Sequence, residues 1–218
     1  MNPDLANIKN IIFDLGNVLL NLDIDASVKA FQKLGLSAEV VDRKYAYSNP
    51  AFYALEVGKV TPEEFCSQVR RVLGNPLATN QQIEDAWYAM IKDIPPPRIK
   101  VVQELKKYFK IYLFSNTNEI HISRLLPEFK MQHGIDFTSL FEKAFYSYEI
   151  HERKPDLTSF EKVIELSGVN PAETLFVDDL EPNILSARQT GLQTLWLKKG
   201  MEMADFFWET LFQNPDSF

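Results

Sequence analysis

The sequence predicts an α/β fold: a parallel sheet covered by helices on both faces, with a helical segment inserted after the first strand. Three observations predict it. Short apolar runs alternate with helical periodicity over the second half of the chain, Ile111-Tyr112-Leu113-Phe114 and Thr174-Leu175-Phe176-Val177 being the clearest strands. Each strand ends on polar residues at the same relative edge. Residues 25–91 carry helical spacing with no convincing strand among them.

The elements follow in order. Residues 9–21, KNIIFDLGNVLLN, read as a buried strand running into a turn at Gly16-Asn17. Ala26, Val28, Ala30, Phe31 and Leu34 then recur at helical spacing, with Asp25 expected as the cap, and Phe52, Tyr53, Leu55 and Val57 follow in a second helical segment. Thr61-Pro62-Glu63-Glu64 supplies an N-cap, a proline at the first helical position and early acidic residues for a helix ending near Gly74. Pro95-Pro96-Pro97 marks a boundary or hinge. Beyond it the pattern gives helix 98–109, strand 111–114, helix 119–129 and a weak strand at 144–146. Helix 155–167 with Pro155 near its start, strand 174–177, helix 181–190 and strand 192–197 complete the alternation. A terminal helix over 203–212 is expected to bury Phe206, Phe207 and Leu211. The domains predicted are a core of residues 1–22 plus 96–218 and a helical unit of residues 23–95.

Composition bounds the function. With 218 residues, 45% of them hydrophobic and 16 of them Phe, the chain can bury a substantial core, which excludes disorder as its main state. A net charge of −7 and the lack of a basic run speak against a nucleic-acid partner, while leaving room for a small anionic substrate beside a cation. The lone Cys66 cannot form an internal disulfide and reads as a buried, inert thiol of a reducing compartment. No stretch approaches a membrane span and residues 1–10 lack the pattern of a secretory leader, so a cytoplasmic location is expected.

In open parallel sheets the active crevice lies beyond the carboxyl ends of the strands. The residues there are Asp14, Ser115 with Asn116, and Asp178 with Asp179, joined by Arg153-Lys154-Pro155 ahead of a helix. Each taken singly is an ordinary turn former or cap. A carboxylate, a hydroxyl, a lysine and a carboxylate pair on one edge are harder to explain that way.

Phe13-Asp14-Leu15-Gly16-Asn17-Val18-Leu19, Leu113-Phe114-Ser115-Asn116, Arg153-Lys154-Pro155 and Phe176-Val177-Asp178-Asp179 resemble, in order, the four motifs of the haloacid dehalogenase superfamily, mostly Mg²⁺-dependent phosphatases. The resemblance runs from Ile11 to about Leu197. It implies a Rossmann-like sheet with the first motif on its central strand, and a mobile helical cap inserted after it. It also implies that Asp14 attacks phosphorus and forms an aspartyl-phosphate. Ser115 and the N–H of Asn116 would bind phosphoryl oxygens, and Lys154 would neutralise charge on nucleophile and substrate. Mg²⁺ would be held by Asp14, the carbonyl of Gly16 and Asp179, with Asp178 a direct or supporting ligand. The substrate implied is a small phosphorylated metabolite.

One position departs from the pattern. Most phosphatases of the superfamily carry a second aspartate two residues after the nucleophile, where this chain has Gly16. Three readings follow. The DLGNV form, Ser115-Asn116-Thr117-Asn118 and Arg153-Lys154-Pro155 resemble the branch containing bacterial α-D-glucose-1-phosphate phosphatase, which favours a sugar phosphate with an acidic leaving hydroxyl. A haloacid dehalogenase or phosphonatase also lacks that aspartate, and the latter would need a cap lysine such as Lys44 or Lys59. A non-catalytic phosphate- or metal-binding regulatory protein is the third.

His121, His133 and His151 lack close metal-ligand spacing, and only His121 follows Ser115 closely enough to line the cleft. Asp23 and Asp25 could approach the leaving group. Tyr45, Tyr47, Phe52, Tyr53, Trp87 and Tyr88 make the helical segment aromatic, most of them for packing and one or two for substrate.

Overall fold

A computed structural model describes the protein over residues 5–36 and 49–213, with side chains to residue 210; Lys44, Tyr45, Tyr47 and the side chain of Leu211 lie outside the described set. Five strands form one parallel sheet: β1 (Asn10–Phe13), β2 (Lys110–Ser115), β3 (Lys143–Tyr146), β4 (Thr174–Asp178) and β5 (Gln193–Trp196). Their order is β3-β2-β1-β4-β5, which puts the first strand at the centre. Ile11 pairs with Ile111 on one side and Leu175 on the other.

The strands are apolar on both faces because both faces are covered. Ile11, Phe13, Leu113, Leu175 and Val177 pack with Val101 and Leu105 of α5 (Pro96–Leu105), Leu125 of α6 (Glu119–His133) and Phe207 of α10 (Met203–Gln213). The alternate residues Ile12, Tyr112, Phe114 and Phe176 pack with Phe160 of α8 (Leu157–Ser167) and Ile184 of α9 (Glu181–Gln189). This period of two is that of a doubly wound sheet.

Between β1 and β2 stand α1 (Ile24–Lys33), α2 (Pro50–Glu56), α3 (Pro62–Leu73) and α4 (Asn80–Tyr88). They bury a separate apolar cluster around Phe31, Phe52, Phe65, Ile83 and Trp87, in which Phe52 meets Trp87 edge-on at 4.6 Å. Thr61 and Glu64 make a reciprocal capping box at the start of α3, and Gly74 closes that helix at φ 60°.

The segment's two ends run side by side, Asn21 N–H donating to Asp93 O at 2.9 Å and Lys92 N–H to Asn21 O at 3.1 Å. The helical segment meets the sheet unit again beyond α2, where the short helix α7 (Ser147–Ile150) abuts Gly58.

The structure corrects several boundaries. Helix α1 begins at Ile24, so Asp23 rather than Asp25 is the cap, its carboxylate accepting from Ala26 N at 3.1 Å. Helix α5 starts within the proline triplet rather than after it, because prolines in the first turn lack only N–H groups the helix does not use. Helix α6 runs on to His133 despite Pro127, and α8 starts at Leu157, two residues past Pro155.

Candidate active site

Asp14 leaves the central strand with its N–H still bonded to Val177 O at 2.9 Å, so its side chain stands between the ends of β2 and β4. Lys154 arrives from the loop before α8 and is 1% exposed. Its three ammonium protons have three acceptors: Asp14 Oδ1 at 2.7 Å, Asp178 Oδ2 at 2.8 Å and Phe114 O at 3.0 Å. Asn116 fixes that loop reciprocally, donating to Lys154 O at 2.8 Å and accepting from Lys154 N at 2.9 Å. The Ser115 hydroxyl, also buried, has only a long 3.5 Å contact to Asn116 O, which leaves it able to donate elsewhere.

Asp178 and Asp179 are adjacent in sequence and differ in surroundings. Asp178 is fully buried, accepting from Leu180 N at 2.8 Å, from Asn183 Nδ2 at 3.0 Å on each oxygen, and from Lys154. Asp179 faces the cleft and accepts from Asn17 Nδ2 at 3.1 Å. Asn17 reaches it from a left-handed backbone conformation, φ 55°, which asparagine tolerates better than most residues.

Oxygens of Asp14, Asp178 and Asp179 lie within 4.8 Å of one another. Burial pushes the Asp14 carboxyl up to about 7, with Lys154 opposing and the two neighbouring aspartates reinforcing. Asp179 is raised by the same burial and by Asp178. Burial works to lower the Lys154 ammonium, but Asp14 and Asp178 overcome it and raise it.

A cavity of about 400 Å³ opens over these groups. Asp14, Gly16, Ser115, Asn116, Lys154 and Asp179 all line it, so the residues singled out in the sequence converge on one place. Only Asp178 stands behind them. The direction a side chain at Gly16 would take is occupied, since a Cβ there would lie 2.7 Å from Leu22 Cδ1.

His121 lines the cavity as expected, but both its ring nitrogens are engaged, Nδ1 with Asn118 Nδ2 and Nε2 with Trp87 O, each at 3.3 Å. Burial lowers its imidazole to about 4. It is therefore a neutral packing group at neutral pH. His133 packs on Phe129 at the end of α6, and His151 is exposed with Nδ1 donating to Val57 O at 3.0 Å.

Lys59 is exposed over the Tyr53 ring, and Asp23 and Asp25 are absent from the cavity lining. Of the described aromatic residues of the helical segment, only Trp87 lines it. Cys66 is buried and its thiol is raised to about 11, first by burial, in keeping with an inert role.

Arg153, named in the sequence only as part of the Arg153-Lys154-Pro155 motif and without a role, also lines the cavity, as do Glu56 and Asn183, which were not singled out. Asn183 carries a weak signal, lying one helical turn beyond the acidic pair. Glu56 carries none.

A cleft at the carboxyl edge of a doubly wound sheet, with a lysine clamped between carboxylates at the ends of the central strand β1 and its neighbour β4, is the layout of an α/β enzyme's catalytic centre. Comparison with known proteins narrows this: residues 8–191 match the haloacid dehalogenase-like hydrolases, and the chain belongs to that family. It is 34% identical over 197 residues to a D-ribitol-5-phosphate phosphatase of Bacteroides thetaiotaomicron, covering 89% of this chain and 94% of that one. It is similar to the crystal structure of a family enzyme from the same organism in complex with magnesium and inorganic phosphate, at 33% identity and TM-score 0.83, over 94% of this chain and 99% of that one. It is also 27% identical over 198 residues to a sesquiterpene phosphatase of Aspergillus oryzae, covering 87% and 89% of the two chains. Among the described residues no helix is long and apolar enough to cross a membrane.

Proposed function

We propose that the protein is a Mg²⁺-dependent phosphatase that hydrolyses a small phosphomonoester, a sugar or polyol phosphate, through an aspartyl-phosphate on Asp14. The observation that carries this is the 2.7 Å contact of Lys154 with Asp14 in a cavity that also holds Ser115 and Asp179.

The residues present fit a divalent cation. Three carboxylates face one lysine, and the two uncompensated negative charges sit in an all-oxygen donor set, which suits Mg²⁺. Asp14, the Gly16 carbonyl and Asp179 would hold it. Asp178 has its oxygens filled by Lys154, Asn183 and Leu180 and serves to hold Lys154 in place. When bound, the ion supplies charge neutralisation for the phosphoryl group.

Asp14 attacks phosphorus as the P–O ester bond breaks and the alcohol leaves, taking its proton from water because Gly16 offers no acid; Ser115 donates to one phosphoryl oxygen and the Asn116 N–H to another, and Lys154 offsets the repulsion between the two anions. Water then cleaves the aspartyl-phosphate. Helices of residues 23–95 act as a cap over the core of residues 1–22 and 96–218, excluding water during transfer, with hinges near Asn21 and near Pro95-Pro97.

The relative named for D-ribitol 5-phosphate supports an ester of a primary alcohol as readily as an anomeric one. A second reading, an ester of an apolar alcohol, is favoured by the wall of Leu20, Leu22, Ile24, Met90 and Ile91 and by the sesquiterpene phosphatase among the relatives.

The test is phosphate release from sugar, polyol, aryl and alkyl phosphates with Mg²⁺ or EDTA, for the wild type and Asp14→Asn. Metal-dependent release that falls at least about a thousandfold in Asp14→Asn is expected. Release that survives the substitution would rule out the aspartyl-phosphate.

A further inference from the structure

Two contacts join the loop that carries Lys154 to the end of α2. Arg153 Nη1 lies 2.8 Å from Glu56 Oε2, and the same guanidinium sits over the Tyr53 ring at 5.6 Å. Tyr53 and Glu56 are one helical turn apart, so both grip Arg153 from one face of α2. His151 Nδ1 donates to Val57 O at 3.0 Å, from a backbone held at φ 58°. The Glu56 carboxylate is buried at the C-terminal end of α2, where a negative charge opposes the helix dipole. Helix stability does not account for a carboxylate there; the contact with Arg153 does.

The helical segment meets the sheet unit on a second flank, and that flank adjoins the place where the chain crosses between them. Arg124 of α6 donates to Asp85 of α4 at 2.8 Å, and soon after α4 ends at Tyr88 the backbone bonds of Met90, Lys92 and Asp93 to Asn21 and Asp23 begin. A segment that turns about this crossing keeps the flank beside it and parts at α2. Resting on the phosphatase reading above, in which residues 23–95 form a cap, we propose that Glu56 is a positioning residue: through Arg153 it latches the cap shut and fixes the loop from which Lys154 reaches Asp14. Asn116 grips the Lys154 backbone from the core, accepting at 2.9 Å and donating at 2.8 Å, while Glu56 and Tyr53 grip the preceding residue from the cap. Closing the latch therefore clamps the loop from both sides, and opening it leaves the core clamp alone.

The test follows hydrogen exchange in the full chain by peptide mass spectrometry, with and without Mg²⁺ plus orthovanadate, a mimic of the transferring phosphoryl group. Wild type is compared with Glu56→Gln, Arg153→Gln and the double variant, which removes both charges and so leaves no buried ion alone to impair folding. In the wild type the added ligands are expected to slow exchange over residues 50–58 and 147–153 about tenfold; each variant is expected to lose that slowing while residues 80–88 keep wild-type rates. Each variant is also expected to lose about tenfold in kcat/KM, by the same factor on the best sugar or polyol phosphate and on 4-nitrophenyl phosphate, since the latch touches neither alcohol. The double variant is expected to lose no more than the worse single one, because the two residues act as a unit. No slowing in the wild type, slowing that survives in Glu56→Gln, faster exchange over residues 80–88 as well, a loss confined to one ester, or losses that multiply in the double variant would overturn the latch and leave the phosphatase reading standing. A wild type that turns over no ester would overturn both.

Discussion

Both ring nitrogens of His121 are engaged and burial holds its imidazole near 4, while an unfolded chain would protonate it near 6.5. As pH falls from about 6.5 toward 4 the unfolded state takes up a proton the native state refuses, so this residue removes stability in that window and none above it. The expected contribution is about 2 kcal/mol lost between pH 7 and pH 5, seen by urea unfolding and abolished in His121→Gln. An unchanged pH slope in the variant would refute the neutral assignment. Asp14, Ser115, Lys154 and Asp179 were legible in the sequence because each sits directly after a strand or in a short local motif. Glu56 was not, because it enters the cavity only through the docking of α2 on a loop nearly a hundred residues away. Gly16 was legible as a departure, but its neighbour Leu22 was not.

Gly58, two residues past Glu56, is a point of close approach between the helical segment and the sheet unit. Its φ is +65°, and a Cβ there would lie 2.2 Å from Tyr148 O, a backbone atom that cannot swing aside. Gly58→Ala is expected to cost about 1–3 kcal/mol in denaturant unfolding. Unchanged stability would show that the contact is slack. Helix α3 was readable at both ends because its cap and stop signals are local, Thr61 with Glu64 and Gly74. Helix α1 was not, because Asp23 and Asp25 offer the same cap chemistry two residues apart, and only the backbone's departure from Met90 O, which Asp23 N–H contacts at 2.8 Å, decides between them. The strands were readable to within a residue or two, since apolar runs buried on both faces leave little choice of position.

Over the whole molecule, the crowding of Asp14, Asp178 and Asp179 around one lysine is a native-state cost that a bound divalent cation relieves. Saturating Mg²⁺ is expected to raise the wild-type Tm by about 5 °C, reversibly with EDTA, and to raise that of Asp179→Asn much less. Equal shifts in both proteins would remove Asp179 from the ligand set. The sheet order carries a different consequence. The central strand β1 precedes its neighbours in the chain, and Asn10 pairs with Lys110 and Thr174, partners 100 and 164 residues downstream. Contacts of such sequence separation close slowly, and Asp14 meets Lys154 and Asp178 only after they have closed. A nascent chain released before Thr174 therefore exposes an unpaired apolar edge and holds no reactive centre, so the burden of protecting β1 during synthesis falls on chaperones or on the early helices.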